Sequence, residues 1–419
     1  MRIAVTGGIG CGKSTVVAQL RQLMPQAVHF DFDEAVRALY ARDEHFRDAL
    51  RAAFQTDNRK EVASRVFASP SAMNQLNDIT REPLMKSLRM ALAHKDVLVE
   101  FPLLFEMAGC ASDIDFVIAV ICDEGTQRAR VAQRDHATPA QIDSVIASQF
   151  GLATKAAMAD FVIDTSPGAQ AMPEQFAKLM RAMRRGELRQ RAKADFSDAV
   201  WKDLEHAYTE SHRYYHGLNH IWSMFRDYDR LEELFSYPEV VRAAIWFHDF
   251  TYQVDLMAYP YNERMSANAV IDTYRRHSPK SLEALTQLEE GPPVGTVGLV
   301  AELILCTKGH KVDSPFLQRY PTLLADTKMF LDIDLAVLAA PAETCEQFDN
   351  NVRREFEAIP ERAFALERAK VLSSFLARER IFFSAVFAEK EETARDNLRR
   401  LIDKWEAVAA SSTLNAQAQ

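Results

Sequence analysis

The sequence lacks long apolar runs, a cysteine framework and any excess of positive charge. Its clearest apolar runs, such as residues 116–122, are only as long as a strand, whereas a membrane-spanning helix needs about 20 apolar residues. The chain begins directly with MRIAVTG, which is typical of a buried strand, and it lacks the charged region and the long apolar stretch of a signal peptide. The five cysteines show neither a pairing pattern nor zinc-ligand spacing, as is usual in a reducing compartment. We therefore expect a cytoplasmic protein without a membrane-spanning segment.

The charge balance argues against general binding to nucleic acids. The 419 residues include 59 acidic and 50 basic side chains, which gives a formal net charge of -9, whereas nucleic-acid-binding surfaces are basic. A local cluster of arginine and lysine can still bind an anionic small molecule. Hydrophobic residues make up 48% of the chain, as in folded globular proteins, and the length favours two or three domains. The composition leaves the oligomeric state open.

Short apolar segments alternate with longer helical patterns in the first part of the chain. This alternation is typical of a parallel sheet with helices on both faces, so we predict an α/β fold for this part. The expected strands are residues 2–6, 27–30, 97–101, 116–121 and 161–163.

After Pro167 the pattern becomes helical, and no convincing strand follows. We predict an α/β domain over residues 1–190, an all-α domain over residues 191–410 and a disordered tail over residues 411–419. Apolar residues recur at helical spacing over residues 173–194, 196–210, 216–234, 238–249, 262–277, 297–308, 345–357, 361–377 and 389–409.

A glycine-rich segment between the first strand and the first helix matches the phosphate-binding pattern G-x-x-x-x-G-K-[ST]. Its sequence is GGIGCGKST, residues 7–15. Backbone amides of such a loop and the helix N-terminus bind phosphate oxygens. The lysine contacts the β- and γ-phosphates, and the serine hydroxyl ligates Mg²⁺. The flanking strand and helix disfavour a chance glycine turn, so we predict binding of ATP and Mg²⁺ by Gly8, Gly10, Cys11, Gly12, Lys13, Ser14 and Thr15.

Charged residues near this loop indicate transfer of a phosphoryl group. Asp33 follows the second strand, where a carboxylate can take the proton from an attacking hydroxyl. Alternatively, Asp31 or Asp33 caps the next helix. Arg130 and Arg134 are four residues apart and share a helix face. From a lid they would contact the transferring phosphate, although a solvated helix face has the same pattern.

Taken in order, the motifs of residues 1–185 resemble the dephospho-CoA kinase family. The matching segments are TGGIGCGKST, DFDEAVR, LND…PL at 76–84, PLLFE, QRARVAQRD, Gln149 and ADFVID at 159–164. The resemblance implies a P-loop kinase that uses ATP to phosphorylate the 3′-hydroxyl of dephospho-CoA. The functional residues that it implies are the catalytic Asp33 and Lys13, the acceptor-site residues Arg37 and Glu106, and the lid residues Arg130 and Arg134.

Two departures from the family pattern concern substrate contacts. Residues 81–83, Arg-Glu-Pro, replace the usual His-Pro, and Thr165 replaces the usual asparagine after the last strand. The first departure affects acceptor binding and the second affects contacts with adenine. Neither changes Lys13, Ser14 or Asp33, so we expect a functional kinase. A P-loop kinase for another small alcohol or a nucleoside is the alternative.

Histidines and acidic residues recur in the helical half at positions that suit a metal site. His216 and His220 lie four residues apart on one helix face. His248 and Asp249 close an apolar helix, and Asp334 comes much later. Imidazole and carboxylate groups bind several divalent metals, and a metal-bound water becomes a nucleophile. The alternative is a set of core histidines with satisfied hydrogen bonds, but the ordered set favours the metal.

The helical half resembles the HD superfamily of metal-dependent phosphohydrolases over about residues 196–400. This resemblance lies in the segments HRYYHGLNHI, AAIWFHDFTY, NERMSA and FLDIDLAVL. It implies a divalent metal held by His220, His248, Asp249 and Asp334, with His216, Glu263 and His310 as second candidates. Asp334 is preferred to Asp332 because it directly precedes the leucine that begins an apolar run. A non-catalytic binding or regulatory module is the alternative, and neither the substrate nor the metal is specified.

Overall fold

The computed structural model describes residues 1–67, 69–107, 112–136, 138–255, 259–277 and 296–416. The chain divides into two compact units, Met1–Glu187 and Leu188–Gln419. Each unit has its own buried hydrophobic clusters. Within the described residues, no helix combines the length and the apolar character that a membrane crossing requires.

A parallel sheet forms the centre of the first unit, which confirms the predicted α/β fold. Its strands are β1 Arg2–Gly7, β2 Val28–Asp31, β3 Val97–Glu100, β4 Phe116–Ile121 and β5 Phe161–Asp164. They lie in the order β2-β3-β1-β4-β5. In this register Val5 lies opposite Glu100 on one side and Ile118 on the other. Because parallel strands end at the same edge, the segments that follow β1, β2 and β3 meet there.

Helices cover both faces of the sheet because its strands are apolar on both sides. They are α1 Lys13–Leu23, α2 Phe32–Arg42, α3 Glu44–Phe54, α4 Arg59–Phe67, α5 Pro70–Leu92, α6 Glu124–Asp135, α7 Pro139–Ala147, α8 Leu152–Met158 and α9 Met172–Asp195. Successive residues of a strand point to opposite faces. Val5 of β1 accordingly clusters with Leu20 of α1, whereas Ala4 clusters with Leu88 of α5.

The described residues of the second unit form helices and no strand, which confirms the predicted helical character. The helices are α10 Asp198–Tyr208, α11 Leu218–Leu231, α12 Pro238–Phe247, α13 Asn262–His277, α14 Thr296–Cys306, α15 Pro321–Leu335, α16 Ala342–Glu355, α17 Glu361–Leu376 and α18 Glu391–Ala416. Helix α12 is buried along most of its length. The Trp246 indole N–H donates to Asp195 Oδ2 (2.8 Å), and the Tyr208 hydroxyl donates to the Trp246 carbonyl (2.9 Å). These bonds fix the end of α12, where His248 and Asp249 follow.

Helix α15 is absent from the sequence-based prediction, although it carries Asp334. Phe330 and Leu331 are fully buried, and so are the side chains of Asp326 and Asp332. The two carboxylates are tolerated inside because each accepts two backbone N–H groups from another segment. A helix that is buried over most of its surface, as α15 is, lacks the amphipathic pattern by which a surface helix is recognised.

The last helix continues into the segment predicted as a disordered tail. Helix α18 ends at Ala416, whereas the predicted tail begins at residue 411. The Ser411 hydroxyl donates to the Val408 carbonyl (3.0 Å), so this polar side chain is satisfied by the helix itself. Residues 417–419 of the predicted tail lie outside the described residues.

Candidate functional sites

The first candidate site is a cavity of about 750 Å³ at the carboxyl edge of the sheet. Its walls combine the loop between β1 and α1 with residues that follow β2 and β3 and with Gln149. Several residues predicted from the sequence line it, namely Gly10, Gly12, Lys13, Ser14, Thr15, Asp33, Arg130 and Arg134. The predicted residues Gly8, Cys11, Arg37 and Glu106 are not among its wall residues. The cavity thus joins a phosphate-type loop, an acid and two arginines.

Glycine determines the shape of the loop between β1 and α1. Gly10 and Gly12 have φ angles of 75° and 86°, which residues with a Cβ atom rarely adopt. Space is restricted as well, because a Cβ atom at Gly10 would lie 2.7 Å from Val131 Cγ2. The Gln127 side-chain amide also donates to the Ile9 carbonyl (2.9 Å). Helix α6 therefore packs directly under the loop and limits its movement.

Lys13 and Ser14 begin helix α1 and face the polar part of the cavity. The Lys13 ammonium donates to the carbonyl oxygens of Gly7 (3.3 Å) and Gly8 (2.8 Å). Burial lowers the pKa of Lys13, and nearby negative groups oppose this effect. The Ser14 hydroxyl donates to Glu100 Oε1 (2.9 Å). A hydroxyl and a carboxylate in contact are hard oxygen ligands of the kind that Mg²⁺ prefers, so this pair fits a magnesium ion.

Glu100 is a cavity residue that was missed as a candidate from the sequence. Its signal was an acidic residue directly after the apolar residues 97–99, which also fits a solvated strand end. The strand order decides between these alternatives, because β3 lies beside β1 and places Glu100 next to the start of α1. This neighbourhood depends on sheet topology, which local sequence does not specify.

Asp31 and Asp33 have different surroundings at the start of α2. Asp31 is the N-cap of this helix, and its Oδ1 accepts the Glu34 backbone N–H (2.8 Å). Asp33 lies in the first turn, is exposed and lines the cavity. Arg37 is one turn further along the same helix face and is also exposed. The capping role therefore falls to Asp31, which leaves the Asp33 carboxylate accessible from the cavity.

The two arginines of α6 line the cavity in different ways. The Arg130 guanidinium donates to the hydroxyl (2.8 Å) and the carbonyl (3.2 Å) of Thr165. The Thr165 hydroxyl in turn donates to the Cys11 carbonyl (2.9 Å), so Arg130 is tied to the phosphate-type loop. Arg134 pairs with Asp135 (2.7 Å) and is 61% exposed. Arg130 is thus preoriented, whereas Arg134 lies at the rim.

Glu106 is held inside the first unit, and its contacts are structural. Its Oε1 accepts the Phe150 backbone N–H (2.9 Å) and pairs with the Lys155 ammonium (2.8 Å). The Lys155 side chain is fully buried and also donates to the Pro102 carbonyl (2.6 Å). Glu106 Oε2 is buried and has no hydrogen-bond partner among the described residues. Glu106 therefore positions the loop after β3, and one oxygen remains available.

The second candidate site is a cluster of imidazole and carboxylate groups inside the helical unit. His220 Nε2 lies 3.2 Å from His248 Nε2 and 3.1 Å from Asp334 Oδ1. His248 Nε2 lies 3.0 Å from Asp249 Oδ2. These residues come from α11, from the segment after α12 and from α15. Ligand atoms of His220, His248 and Asp334 all lie within 4.8 Å of one another, as binding of one metal ion requires.

The hydrogen bonds of His248 support a metal at this cluster. Its Nδ1 lies 3.1 Å from the Ile245 carbonyl, which can only accept, so Nδ1 carries the proton. A neutral His248 then directs the lone pair of Nε2 towards His220 and the acids. Two imidazole nitrogens at 3.2 Å with two carboxylates beside them are the donor set of a divalent cation. The residues therefore fit a metal ion.

The electrostatics of the cluster favour positive charge next to its two carboxylates. Burial alone would lower the pKa of His248, but Asp249 and Asp334 raise it to about 9. Burial lowers the pKa of His220. Despite their burial, the pKa values of Asp249 and Asp334 fall below the usual range, mainly because His248 is close. The buried acids are thus compensated by positive charge, which either a proton or a metal ion can supply.

His310 and His216 flank this cluster without joining the three convergent residues. His310 Nε2 lies 2.9 Å from Asp334 Oδ2, on the opposite oxygen from His220. It has a φ of 48°, and Arg378 donates to its carbonyl (3.0 Å). His310 therefore orients Asp334. His216 is 20% exposed, and its ring centre lies 6.0 Å from that of His220.

A buried glutamate from α16 holds the segment that carries His216. Glu355 Oε1 accepts the backbone N–H groups of Tyr214, Tyr215 and His216 (2.8, 2.6 and 2.9 Å). Glu355 Oε2 lies 2.7 Å from His216 Nδ1. Glu355 was missed from the sequence, because an acid near the end of an amphipathic helix resembles an ordinary surface residue.

Two further acids differ from what their sequence positions indicate. Glu263 Oε2 is buried without a hydrogen-bond partner among the described residues, and burial raises its pKa. The Asp249 carboxylate adds to this rise of the pKa, whereas His310 opposes it. Asp332, in contrast, binds the backbone N–H groups of Phe383 and Ser384 (both 2.7 Å). Asp332 is therefore engaged elsewhere, whereas Asp334 contributes to the cluster.

Comparison with known proteins relates the first unit to one family. The model of the family described as dephospho-CoA kinase matches residues 1–170. The Bradyrhizobium diazoefficiens dephospho-CoA kinase is 34% identical over 193 residues, which cover 43% of this chain and 94% of that protein. The Rhodopseudomonas palustris dephospho-CoA kinase is 30% identical over 192 residues, with 43% and 94% covered. A crystal structure from Thermus thermophilus shares 26% identity at a TM-score of 0.38, covering 43% of this chain and 96% of that one. The chain therefore belongs to the dephospho-CoA kinase family.

Proposed function

We propose that the dephospho-CoA kinase reaction of this chain takes place in the cavity of the first unit. The observation that carries this assignment is the common lining of that cavity by Lys13, Asp33 and Arg130. Phosphoryl transfer needs a cradle for polyphosphate, a group that accepts the hydroxyl proton and cations at the transferred group. The loop with Lys13, the Asp33 carboxylate and the Arg130 guanidinium are the candidates for these three parts.

Each of these cavity residues has its own role in phosphoryl transfer. Loop amides and Lys13 bind the β- and γ-phosphates of ATP, and Asp33 accepts the proton of the 3′-hydroxyl as it attacks. Arg130, already oriented by Thr165, stabilises the charge on the transferred group. Ser14 and Glu100 would hold Mg²⁺, which when bound neutralises phosphate charge. These roles depend on positioning and electrostatics rather than on a covalent intermediate.

The roles of Asp33 and Asp31 can be separated by a matched pair of variants. Asp33→Asn removes the base, so kcat for dephospho-CoA should fall by about 10²- to 10⁴-fold. Asp31→Asn keeps an N-cap residue of similar strength, so its kcat should stay within about twofold of the wild type. The measurement is ATP-dependent conversion of dephospho-CoA to CoA. An unchanged kcat in Asp33→Asn would contradict the role of Asp33 as the base. Faster turnover of a nucleoside than of dephospho-CoA would contradict the proposed substrate.

We further propose that the second unit is a metal-dependent phosphohydrolase. The supporting observation is the convergence of His220, His248 and Asp334 with Asp249 at their side. A divalent metal bound there would supply a water of lowered pKa as the nucleophile. His310 orients Asp334, and Glu263 is the candidate proton acceptor, because its Oε2 is buried without a hydrogen-bond partner among the described residues. A purely structural core does not need two facing imidazole nitrogens.

The experiment on the second unit uses the full chain with Lys13→Ala, so that the kinase site does not consume phosphate compounds. Metal content is measured after purification, and phosphate release is followed over a panel of phosphate esters with added Mn²⁺, Fe²⁺, Ni²⁺ or Zn²⁺. Bound metal and hydrolysis should both disappear in His248→Ala. His212→Ala is the control, since His212 Nε2 contacts the Tyr252 carbonyl instead (2.8 Å). Metal without hydrolysis contradicts the phosphohydrolase, and the absence of bound metal favours the non-catalytic binding or regulatory module.

A further inference from the structure

Two free thiols meet under the phosphate-binding loop of the kinase unit. Cys11 Sγ and Cys122 Sγ lie 3.3 Å apart, although the residues are separated by 111 positions in the chain. Their exposed fractions are 0% and 6%, and neither thiol forms a disulfide. Cys306 and Cys345 are also buried, but they contact no second sulfur among the described residues. The contact at Cys11 is thus specific to the catalytic loop.

The surroundings connect this sulfur pair to the machinery of phosphate binding. Cys11 lies between Gly10 and Gly12, whose left-handed conformations shape the loop. Its carbonyl accepts the Thr165 hydroxyl (2.9 Å), the same side chain that orients Arg130. Cys122 directly follows β4. A covalent bond between the two sulfurs would therefore link the apex of the loop to the end of β4.

We propose that Cys11 and Cys122 form a site of reversible oxidation, at which a hydroperoxide joins them in a disulfide and so suppresses phosphoryl transfer. The chemistry balances in two steps. The Cys11 thiol attacks one peroxide oxygen and becomes a sulfenic acid, while hydrogen peroxide leaves the second oxygen as water. The Cys122 thiol then attacks the sulfenic sulfur, forms the S–S bond and releases a second water. Two electrons pass from the two thiols to the peroxide.

The two cysteines have different roles in the two reaction steps. Cys122 is the S–H donor in the pair and Cys11 the acceptor. Burial and the hydrogen bond to Cys11 raise the pKa of Cys122 to about 12, although Arg130 opposes the shift. Cys122 therefore remains a thiol near neutral pH, and it has to lose its proton as it attacks the sulfenic sulfur of Cys11, which lies in contact with it. Attack begins at Cys11. Because this thiol is fully buried in the closed loop, peroxide reaches it only during rare local opening, after which the loop packs again.

The bond should disturb phosphate binding because the loop has no room to adapt. A disulfide requires about 2.0 Å between sulfurs, so the pair must approach by roughly 1.3 Å from its present 3.3 Å. Val131 and Gln127 pack against Gly10 so closely that even a Cβ atom would collide with them. Shifts of about 1 Å in positioning groups cost up to about 100-fold in rate. Oxidation should therefore slow transfer of the phosphoryl group.

The test treats the full chain with hydrogen peroxide and then assays dephospho-CoA phosphorylation before and after dithiothreitol. We expect at least a tenfold loss of kcat, recovery on reduction, and a peptide linking Cys11 to Cys122 by mass spectrometry. Cys122→Ala should keep kcat within about twofold before oxidation, since Cys122 does not line the cavity. It should then resist the loss. Cys122→Ser provides the same readout if the alanine variant folds poorly.

Cys345→Ala is the matched control, because Cys345 is equally buried but lies in the other unit. This variant should lose and regain kinase activity like the wild type. The proposal is overturned if Cys122→Ala and Cys122→Ser lose activity as the wild type does. It is also overturned if the linked peptide forms while kcat stays unchanged, or if inactivated enzyme contains no such peptide.

Discussion

The kinase cavity and the metal-type cluster of the second unit are assembled from the chain in opposite ways. The phosphate loop is a continuous run of backbone, residues 7–15, in which glycine supplies the shape. The cluster takes its groups from three elements spread over residues 220–334. A backbone-built site is thus defined by its local sequence. A side-chain-built site exists only after distant helices have packed.

The two sites also differ in how they compensate charge. Asp33 is exposed to the cavity, so water can solvate its carboxylate. His220, Asp249 and Asp334 are largely buried, and each charge there depends on a neighbour. Substitutions in the first site should therefore change catalysis with little effect on folding. Substitutions in the second should change stability and metal binding together.

The largest effect is expected at the phosphate loop. Lys13→Ala removes the cation at the β- and γ-phosphates, so kcat for dephospho-CoA should fall by about 10³-fold. Lys178→Ala, which removes only an exposed ion pair with Glu174, should leave kcat unchanged. Metal content of the second unit should be the same in both variants. Loss of metal in Lys13→Ala would show that the two sites are not independent.

A pair of aspartates on α15 separates metal binding from stability. Asp334→Asn removes a carboxylate from the cluster, so affinity for a divalent metal should fall by about 100-fold. Asp332→Asn changes the carboxylate that accepts the backbone N–H groups of Phe383 and Ser384. It should therefore lower the free energy of unfolding by about 1–3 kcal/mol. The protein should retain its metal. Isothermal titration and chemical denaturation provide the two readouts. Equal metal affinity in both variants would contradict the assignment of Asp334.

Two arginines of α6 test whether this helix contributes to catalysis or only presents a solvated face. Arg130→Ala should lower kcat by about tenfold or more, because it removes a preoriented cation from the cavity. Arg128→Ala removes exposed ion pairs with Glu124 and Asp143, which are worth at most about 1 kcal/mol of stability. It should not change kcat. Similar kcat values in the two variants would favour the solvated face.

The smallest effect concerns the pH dependence of the metal-free cluster. The pKa of His248 is raised from 6.5 to about 9 in the folded protein, so the folded state binds more protons than the unfolded state between these values. The resulting stabilisation is present below pH 6.5 and is lost as pH rises through about 9. The Tm of the metal-free second unit should fall by roughly 5 °C over this range. Tryptophan fluorescence reports on this unit, since all four tryptophans lie in it.

A control variant and the metal itself sharpen this last comparison. His248→Gln should flatten the slope of Tm between pH 6.5 and 9, because it removes the titrating group. Added metal should raise Tm most at the alkaline end, where no proton has to be displaced from His248. A Tm that rises with pH in the metal-free wild type would contradict the charge balance described for the cluster.

Much of the fold could be predicted because its signals are local. The five strands are short apolar runs, and the amphipathic helices of the second unit repeat apolar residues at helical spacing. Helix α15 could not be predicted in this way, because most of its residues are buried and it lacks a continuous polar face. Asp326 and Asp332 look like surface residues in the sequence, although both are buried in the structure.

Site residues could be predicted from the sequence where their type and spacing together specify one structure. Lys13 and the glycines fall in this class, since their spacing specifies the loop. Glu100 was missed because its contact with Ser14 depends on the order of strands. Glu355 was missed because its partners lie more than 100 residues away in sequence. Pairings of this length arise from tertiary structure, which a sequence pattern does not contain.

The distance between Glu355 and the segment that it holds has a consequence for the newly synthesised chain. His216 leaves the ribosome 139 residues before the glutamate that fixes its backbone and its ring. Until α16 emerges and docks, three amide groups of this segment have no carboxylate to bind. The segment that carries His216 therefore matures late, after His220, His248 and Asp334 of the cluster have all been synthesised.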